Sequence, residues 1–412
     1  MNSDDQMLEQ ALKQAWHEET ARNSLERWTK LGEQQNWAGN IKDMPMLVKL
    51  FGASWYFTRF IFALGPEAIT LLTERDQPQL DKKYFLELMQ QAQEFDDIEQ
   101  RVNRLRVLKN TCMLRILVAY LRNELPLEQL EAALTELAEV TLDVLIRSFQ
   151  ILPQHKEFPV TILGMGRMAG YEMTFGSDLD LIFLYEPDDQ DSYAEIGKTI
   201  RLLLRTIAQP ASAGLLYEVD MRLRPHGNSG PLVTSYNSFL EHHSGKRDVW
   251  EKQMMTRCRP VLVLSDNLDK VMSDTRDSIY SQYDKTYLRN EIVSMRMRVQ
   301  KELGSPKDKY EIKRGYGGIM DIDFISHYYQ LAYGHEFTEL QTGSTRLALT
   351  ELVRLKLVDA ATSNSLIGHY NYLKKVEMCL RLFDMKSVDS FTGFDEDNIA
   401  LSRAMGHGDN TR

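Results

Sequence analysis

Two aspartates at a spacing of two, Asp178 and Asp180, open the apolar run Leu181-Ile182-Phe183-Leu184-Tyr185 directly after Gly176-Ser177. Successive side chains of a strand alternate between faces, so both carboxylates share one face and Leu179 takes the other. Two carboxylates this close repel each other, which raises one pKa unless a cation lies between them. A hard divalent ion with oxygen ligands, Mg²⁺ above all, is the natural occupant. The Gly176-Ser177 turn can bring backbone N–H groups and a hydroxyl up to a phosphate. These parts together suggest nucleotide chemistry.

A third carboxylate lies further on. From Leu215 to Arg224 the period of two is strict: Tyr217, Val219, Met221 and Leu223 fall on one face, Glu218, Asp220, Arg222 and Arg224 on the other. The pattern alone fits a half-solvated edge strand with cross-strand ion pairs. Read beside the Asp178 strand, it offers Asp220 as a third metal ligand or general base. Arg222 and Arg224 are then forks for substrate phosphates. Lys313, with Gly315-Tyr316-Gly317-Gly318 and then Asp321 and Asp323, is a further candidate for phosphate, metal or a target protein. The same stretch equally fits a glycine turn and a helix whose first turn favours acidic residues. His242-His243 has no ligand-spaced partner and reads as a solvated loop. Gly164-x-Gly166-x-x-Ala169 after an apolar run imitates a dinucleotide fingerprint, but no βαβ unit closed by an acidic residue follows it.

The elements that must position these residues are mostly helical. Residues 1 to about 150 read as helix throughout, with Leu127 to Leu145 carrying the stripe Leu130, Leu134, Leu137, Val140 and Val144. Gly65-Pro66 and Asp76-Gln77-Pro78 are breaks. The character changes near Pro153 to Pro159, where the β-branched run Val160-Thr161-Ile162-Leu163 begins. A helix around Ile196 to Ile207 separates the two acidic strands, and helices resume from Val271. The expected organisation is a helical segment 1–152, a mixed-sheet segment 153–268 and a helical segment 269–412. The fold class is α+β, predominantly helical.

The chain has 412 residues, 43% hydrophobic and 26% charged, with a net charge of −10. That is soluble globular composition with room for two or three cores. The negative balance argues against nucleic acid as substrate. Three scattered cysteines, Cys112, Cys258 and Cys379, form no metal pattern and point to a reducing compartment. No run reaches the roughly 20 apolar residues a membrane span needs, and Met1 to Glu9 is unlike a signal peptide. A cytoplasmic location without membrane contact is the expectation. The 19 methionines read as core filling.

On these residues the chain resembles the nucleotidyltransferase superfamily typified by DNA polymerase β: a Gly-Ser turn, an Asp-x-Asp strand and a later strand with a third Asp. Within it, the chain is similar to the glutamine-synthetase adenylyltransferase family. Gly164 to Glu172, Phe175 to Tyr185, Gly214 to Pro225 and Ile312 to Ile325 carry the likeness. Leu50-Phe51-Gly52-Ala53-Ser54 and Leu105 to Ile116 add to it, so it runs from about residue 45 to about 335. The family usually reads Gly-Lys-Leu-Gly-Gly where this chain has Gly166-Arg167-Met168-Ala169-Gly170. Arg167 keeps the positive charge, whereas Ala169 removes backbone freedom. Family enzymes are typically tandem, one unit removing AMP from glutamine synthetase and another attaching it. This chain has one unit and stops after helices that the family continues into a bundle, so a fragment or a stand-alone relative is expected.

The resemblance implies a polymerase β-like mixed sheet flanked by helical domains, and Mg²⁺-dependent transfer of AMP from ATP to a tyrosine of glutamine synthetase. Asp178, Asp180 and Asp220 then hold the metals, with Asp220 assisting deprotonation. Gly176, Ser177, Arg222, Arg224 and Lys313 bind the nucleotide, and a PII signalling protein is the implied regulator. Phe175 to Asp180, Tyr217 to Asp220 and Ile319 to Phe324 look like the attaching unit, Gly230-Pro231-Leu232-Val233 like the removing unit. Attachment is the reading adopted. Phosphorolytic removal of AMP, releasing ADP, is the alternative. A non-catalytic docking module for glutamine synthetase or PII is a third reading, which a lack of Mg²⁺-dependent ATP binding favours. A small-molecule nucleotidyltransferase shares the Asp-x-Asp core but leaves the Lys313 to Phe324 motif without a purpose.

Overall fold

The computed structural model describes residues 3–37, 44–74, 78–150, 160–186, 190–244, 248–264, 268–303, 309–392 and 396–409. The Pro153–Pro159 stretch and Asp76-Gln77 lie outside them. The first third is helical, as expected: α1 (Ser3–Gln14), α2 (Glu18–Gln34), α3 (Met44–Ala53), α4 (Trp55–Leu64), α5 (Pro66–Thr73), α6 (Lys82–Met89), α7 (Ile98–Leu121) and α8 (Leu127–Gln150). The starts of three are written locally. Ser54, Asp81 and Asp97 accept a hydrogen bond from the backbone N–H three residues on, which satisfies a donor that the helix itself leaves unpaired.

The sheet follows: β1 (Val160–Met165), the single turn α9 (Gly166–Ala169), β2 (Leu179–Tyr185), α10 (Gln190–Ala208), β3 (Val219–Asp220), β4 (Thr234–Ser235), α11 (Tyr236–Ser244), α12 (Val249–Met255) and β5 (Cys258–Val263). Its order is β3-β2-β1-β5, with β4 also on β2. β1 runs antiparallel to β2 and β5, whereas β3 and β4 are parallel to β2. An antiparallel β1–β2 pair is incompatible with a βαβ dinucleotide unit. The Leu215–Leu223 alternation does not become a long strand. Only Val219 and Asp220 pair with β2, and the chain turns immediately afterwards.

The two faces of β2 enter different cores. Leu179, Leu181, Phe183 and Tyr185 pack into the cluster shared with α7, α8 and α10. Ile182 and Leu184 join Leu163 and Met165 against α11 to α14 and the helix that follows them. Asp180 alternates with Ile182 and Leu184, so its carboxylate lies on the second face, and Asp178 immediately precedes the strand.

The C-terminal part comprises α13 (Leu268–Ile279), α14 (Lys285–Leu303), β6 (Lys309–Glu311), α15 (Ile319–Tyr333), α16 (Thr345–Arg354), α17 (Ala360–Leu382), β7 (Ser390–Thr392) and α18 (Glu396–Met405). Its β6–β7 pair, antiparallel with Tyr310 opposite Phe391, is absent from the sequence expectation. His242 and His243 depart from the expected solvated loop. Both are buried in α11, where His243 packs on Phe239 and His242 lies by Glu251. Their imidazole bodies fill the second core. Among the described residues no helix is long and apolar enough to cross a membrane.

Candidate active site

Asp180 is held opposite Asp220 by the parallel register of β2 and β3, Leu179 with Val219 and Asp180 with Asp220. Partners in register point to the same face, so the Asp220 carboxylate stands beside that of Asp180. The Glu218 carbonyl receives the Leu179 N–H at 2.9 Å and anchors this short pairing. The residues before β3 are placed by α7. Arg106 donates to the carbonyls of Thr206 and Gln209, Lys109 to those of Leu215 and Leu216, and Asn110 to that of Ala213. Burial pushes the Lys109 ammonium down to about 7, with Arg106 adding to the shift. In the sequence these three polar residues look like the ordinary outer face of a helix. Their task becomes visible only when the 206–216 loop folds over them.

The electrostatics mark Asp180. Burial, then Asp220 and Asp178, push its carboxyl up to about 7, against the pull of Lys313 and Arg222. Asp220 moves the other way: hydrogen bonds from Arg222 hold it below the usual carboxylate range. The Arg222 backbone N–H donates to Asp220 Oδ1 at 2.8 Å and its Nε to Oδ2 at 2.8 Å. As the side chains stand, no three Asp, Glu, His or Cys among the described residues converge on one point. The expected three-carboxylate ion site is therefore not closed while Arg222 holds Asp220.

Glycines make the close approaches. Gly166, at φ +55°, ends β1 directly under Asp180; a Cβ there would lie 2.7 Å from Asp180 Oδ2. Gly176 has φ +66°, and its Cβ would meet the Met385 backbone at 2.9 Å. Both need glycine for conformation and for space. Ser177 closes the turn itself: its hydroxyl accepts the Thr174 N–H at 2.9 Å, and its N–H donates to the Thr174 carbonyl at 3.2 Å. Lys313 arrives from the distant glycine motif. Its charge acts on Asp180, and its Nζ lies 3.7 Å from Asp389 Oδ2, an acidic partner that sequence reading missed.

Three candidate cations are not poised for phosphate. Arg222 is exposed and paired with Asp220. Arg224 donates to the carbonyls of Met221 and Pro231 at 2.7 and 3.0 Å and also reaches those of Asn228 and Gly230. It thereby closes the loop after β3 instead of facing the carboxylates. Arg167 is half-buried between Glu172 and Asp323, each at 3.2 Å, with Tyr370 as a further acceptor. It supports the turn from behind. Asp323 belongs to that same buried group, with Arg257 at 3.3 Å and Thr345 at 2.8 Å. Asp321 binds Arg296 and accepts the Gly317 N–H at 2.6 Å, which ties the glycine turn to the first turn of α15. For both aspartates the structural alternative is the one observed.

Sequence comparison gives two family matches. The profile of glutamate-ammonia ligase adenylyltransferase matches residues 44–272, and that of GlnD PII-uridylyltransferase matches residues 289–412. Among curated relatives, a bifunctional glutamine synthetase adenylyltransferase/adenylyl-removing enzyme of Nitrosomonas europaea is 34% identical over 292 residues, covering 69% of this chain and 31% of that protein. Enzymes of the same description from Chromobacterium violaceum and Alteromonas mediterranea are 30% and 29% identical, over 73% and 90% of this chain and 34% and 39% of theirs. The chain thus spans about a third of the length of these relatives.

Proposed function

The chain belongs to the glutamate-ammonia ligase adenylyltransferase family, and on that premise we propose that it transfers AMP from ATP to a tyrosine hydroxyl of glutamine synthetase. The observation that carries this reading is the register of Asp180 with Asp220, with Asp178 close enough to act on the Asp180 carboxyl, which is pushed up to about 7.

The donor set fits a hard divalent cation of the Mg²⁺ type. It is all oxygen, and the charge of Asp180 is opposed by two neighbouring carboxylates. Asp178, Asp180 and Asp220 would hold the ion, which when bound neutralises that repulsion and polarises the α-phosphate. The remaining work belongs to the chain. The Gly176-Ser177 turn presents its backbone to the triphosphate. Lys313 exchanges Asp389 for phosphate oxygens, and Arg222 does the same in leaving Asp220. Released from Arg222, Asp220 takes the proton of the attacking tyrosine hydroxyl. The new bond joins the tyrosine oxygen to the α-phosphorus, and the bond to pyrophosphate breaks.

Incubation with glutamine synthetase and ATP labelled at the α-phosphate tests this. The expected result is labelled tyrosine in equal amount with released pyrophosphate. An unlabelled target at full Mg²⁺ overturns the reading. Removal of AMP is the second reading, supported by Gly230-Pro231-Leu232-Val233 and by the double activity in the relatives' names. Release of ADP from adenylylated target and phosphate is its signature. The GlnD PII-uridylyltransferase match over 289–412 supports a PII-type protein as a partner of the C-terminal helices.

A further inference from the structure

A cavity of about 680 Å³ lies where the loop after α9, the start of β5, helix α13 and the loop before α16 meet. Its volume is in the range of metabolite sites. None of Gly176, Ser177, Asp178, Asp180, Asp220, Arg222 or Lys313 lines it.

Two features of its wall are unusual. Tyr171 adopts φ +56°, a left-handed conformation that a bulky residue enters only at a cost in strain. The residue is nevertheless 41% exposed, and it lines the cavity. The Arg259 guanidinium lies 4.0 Å from the centroid of that ring and donates to the Ala169 and Met168 carbonyls at 3.1 and 3.0 Å, with Glu139 as counter-charge. Strain and fixed partners thus maintain a flat, rigid platform of ring and guanidinium. Opposite in charge logic stands Arg276, in the last turn of α13, also lining the cavity. It is exposed and has no carboxylate partner among the described residues. Gly170 and Gly343 fix the floor, because a Cβ on Gly170 would lie 2.6 Å from the Gly343 carbonyl oxygen.

We propose that this cavity is a second ligand site for a planar anion of nucleoside-monophosphate size, its ring stacked on Tyr171–Arg259 and its phosphate paired with Arg276. A stacked ring and a guanidinium–phosphate pair each supply part of the affinity, so neither fragment alone suffices. The site stands whether or not the AMP-transfer reading holds.

Calorimetric titration of AMP into the full chain, without divalent ion, tests it. The variants are Arg276→Ser, Tyr171→Gly and Asp178→Asn, the last disabling the candidate active site. Glycine accepts the backbone of position 171, and Arg276 is on the surface, so both cavity variants keep the fold by thermal melting. AMP is expected to bind, to bind equally to Asp178→Asn, and to bind at least about tenfold more weakly to Arg276→Ser and to Tyr171→Gly. Adenosine and ribose 5-phosphate should each bind at least about tenfold more weakly than AMP. No binding at ~5 mM AMP overturns the proposal, since such affinity is below that of ordinary metabolite sites. Binding lost in Asp178→Asn but kept in Arg276→Ser also overturns it, by moving AMP to the carboxylate centre. Ribose 5-phosphate binding as tightly as AMP overturns the stacking platform.

Discussion

The molecule contains two dense groups of charge, and they are built on opposite rules. Around Asp180, three carboxylates face two cations, Lys313, which is shared with Asp389, and Arg222, which is paired with Asp220. Behind the same turn, Glu172 accepts from Arg257 and Tyr370 at 2.7 Å each, the Thr345 N–H at 3.0 Å, and Arg167 and Ser344 at 3.2 Å each. Burial alone pushes Glu172 and Asp323 up, but Arg257 and Arg167 outweigh it and hold both below the usual range. In the first group burial and repulsion add at Asp180 and outweigh the neighbouring cations. In the second they cancel, and the result is a fixed joint between the sheet, α15, α16 and α17. Perturbed charge of the first kind marks candidate functional sites, whereas paired buried charge of the second kind is structural.

Substitution at Asp180 gives the sharpest contrast. Asp180→Asn is expected to lower AMP transfer by about a thousandfold or more, since it removes a group central to charge stabilisation. The same change should raise thermal stability. The folded state holds the Asp180 proton up to about pH 7, while the unfolded chain loses it near pH 4. Stability from this group is therefore complete below about pH 4 and lost as pH rises toward 7. Melting curves without divalent ion should show Asp180→Asn more stable than the parent at pH 8 and equal to it at low pH. Added Mg²⁺ should raise the melting temperature of the parent only. A destabilised Asp180→Asn at pH 8 would break the comparison.

Glu172→Gln should do the reverse. It strips charge from a group in which Arg257 is buried and Arg167 half-buried, and loss of one partner of a buried pair costs about 3–5 kcal/mol. Urea denaturation at pH 7 measures this. Because Glu172 and Asp323 are depressed, their contribution is present at neutral pH and lost as pH falls below about 4 through their folded values. Acid should consequently loosen this joint while it relieves the Asp180 cluster.

Smaller effects separate the two arginines that follow β3. Arg222→Ala is expected to reduce transfer by about ten- to a hundredfold through lost phosphate contact. Its stability should change by less than about 1 kcal/mol, because the pair with Asp220 is exposed on the arginine side. Arg224→Ala should cost about 1–2 kcal/mol from the loop carbonyls it leaves unpaired. Steady-state kinetics alongside denaturation distinguishes them. Equal kinetic losses in the two would erase the distinction.

Much of the site is legible in sequence because it is local. The Gly176-Ser177 turn, the alternation from Asp178 to Leu184 and the helix caps at Ser54, Asp81 and Asp97 are set by neighbours within a few residues. The third carboxylate was reached by the same period-two reading, although β3 is only two residues long. What failed did so where side chains answer to distant partners. His242 and His243 look like surface residues until α11 buries them. Arg224 looks like a fork for phosphate, and Asp323 as much a ligand as a helix-start residue, until the loops and helices around them supply acceptors and cations.

The sequence by itself determined which carboxylates share a strand face, where the glycines permit sharp turns and which stretches are helical, because periodicity and backbone conformation act over one or two turns of chain. Only the tertiary structure decided that Asp180 stands against Asp220, that α7 holds the loop between them with Arg106, Lys109 and Asn110, and that Asp389 takes Lys313. Those pairings join residues from 40 to more than 100 positions apart. Their energies depend on burial and on the full set of neighbouring charges, which no local pattern records.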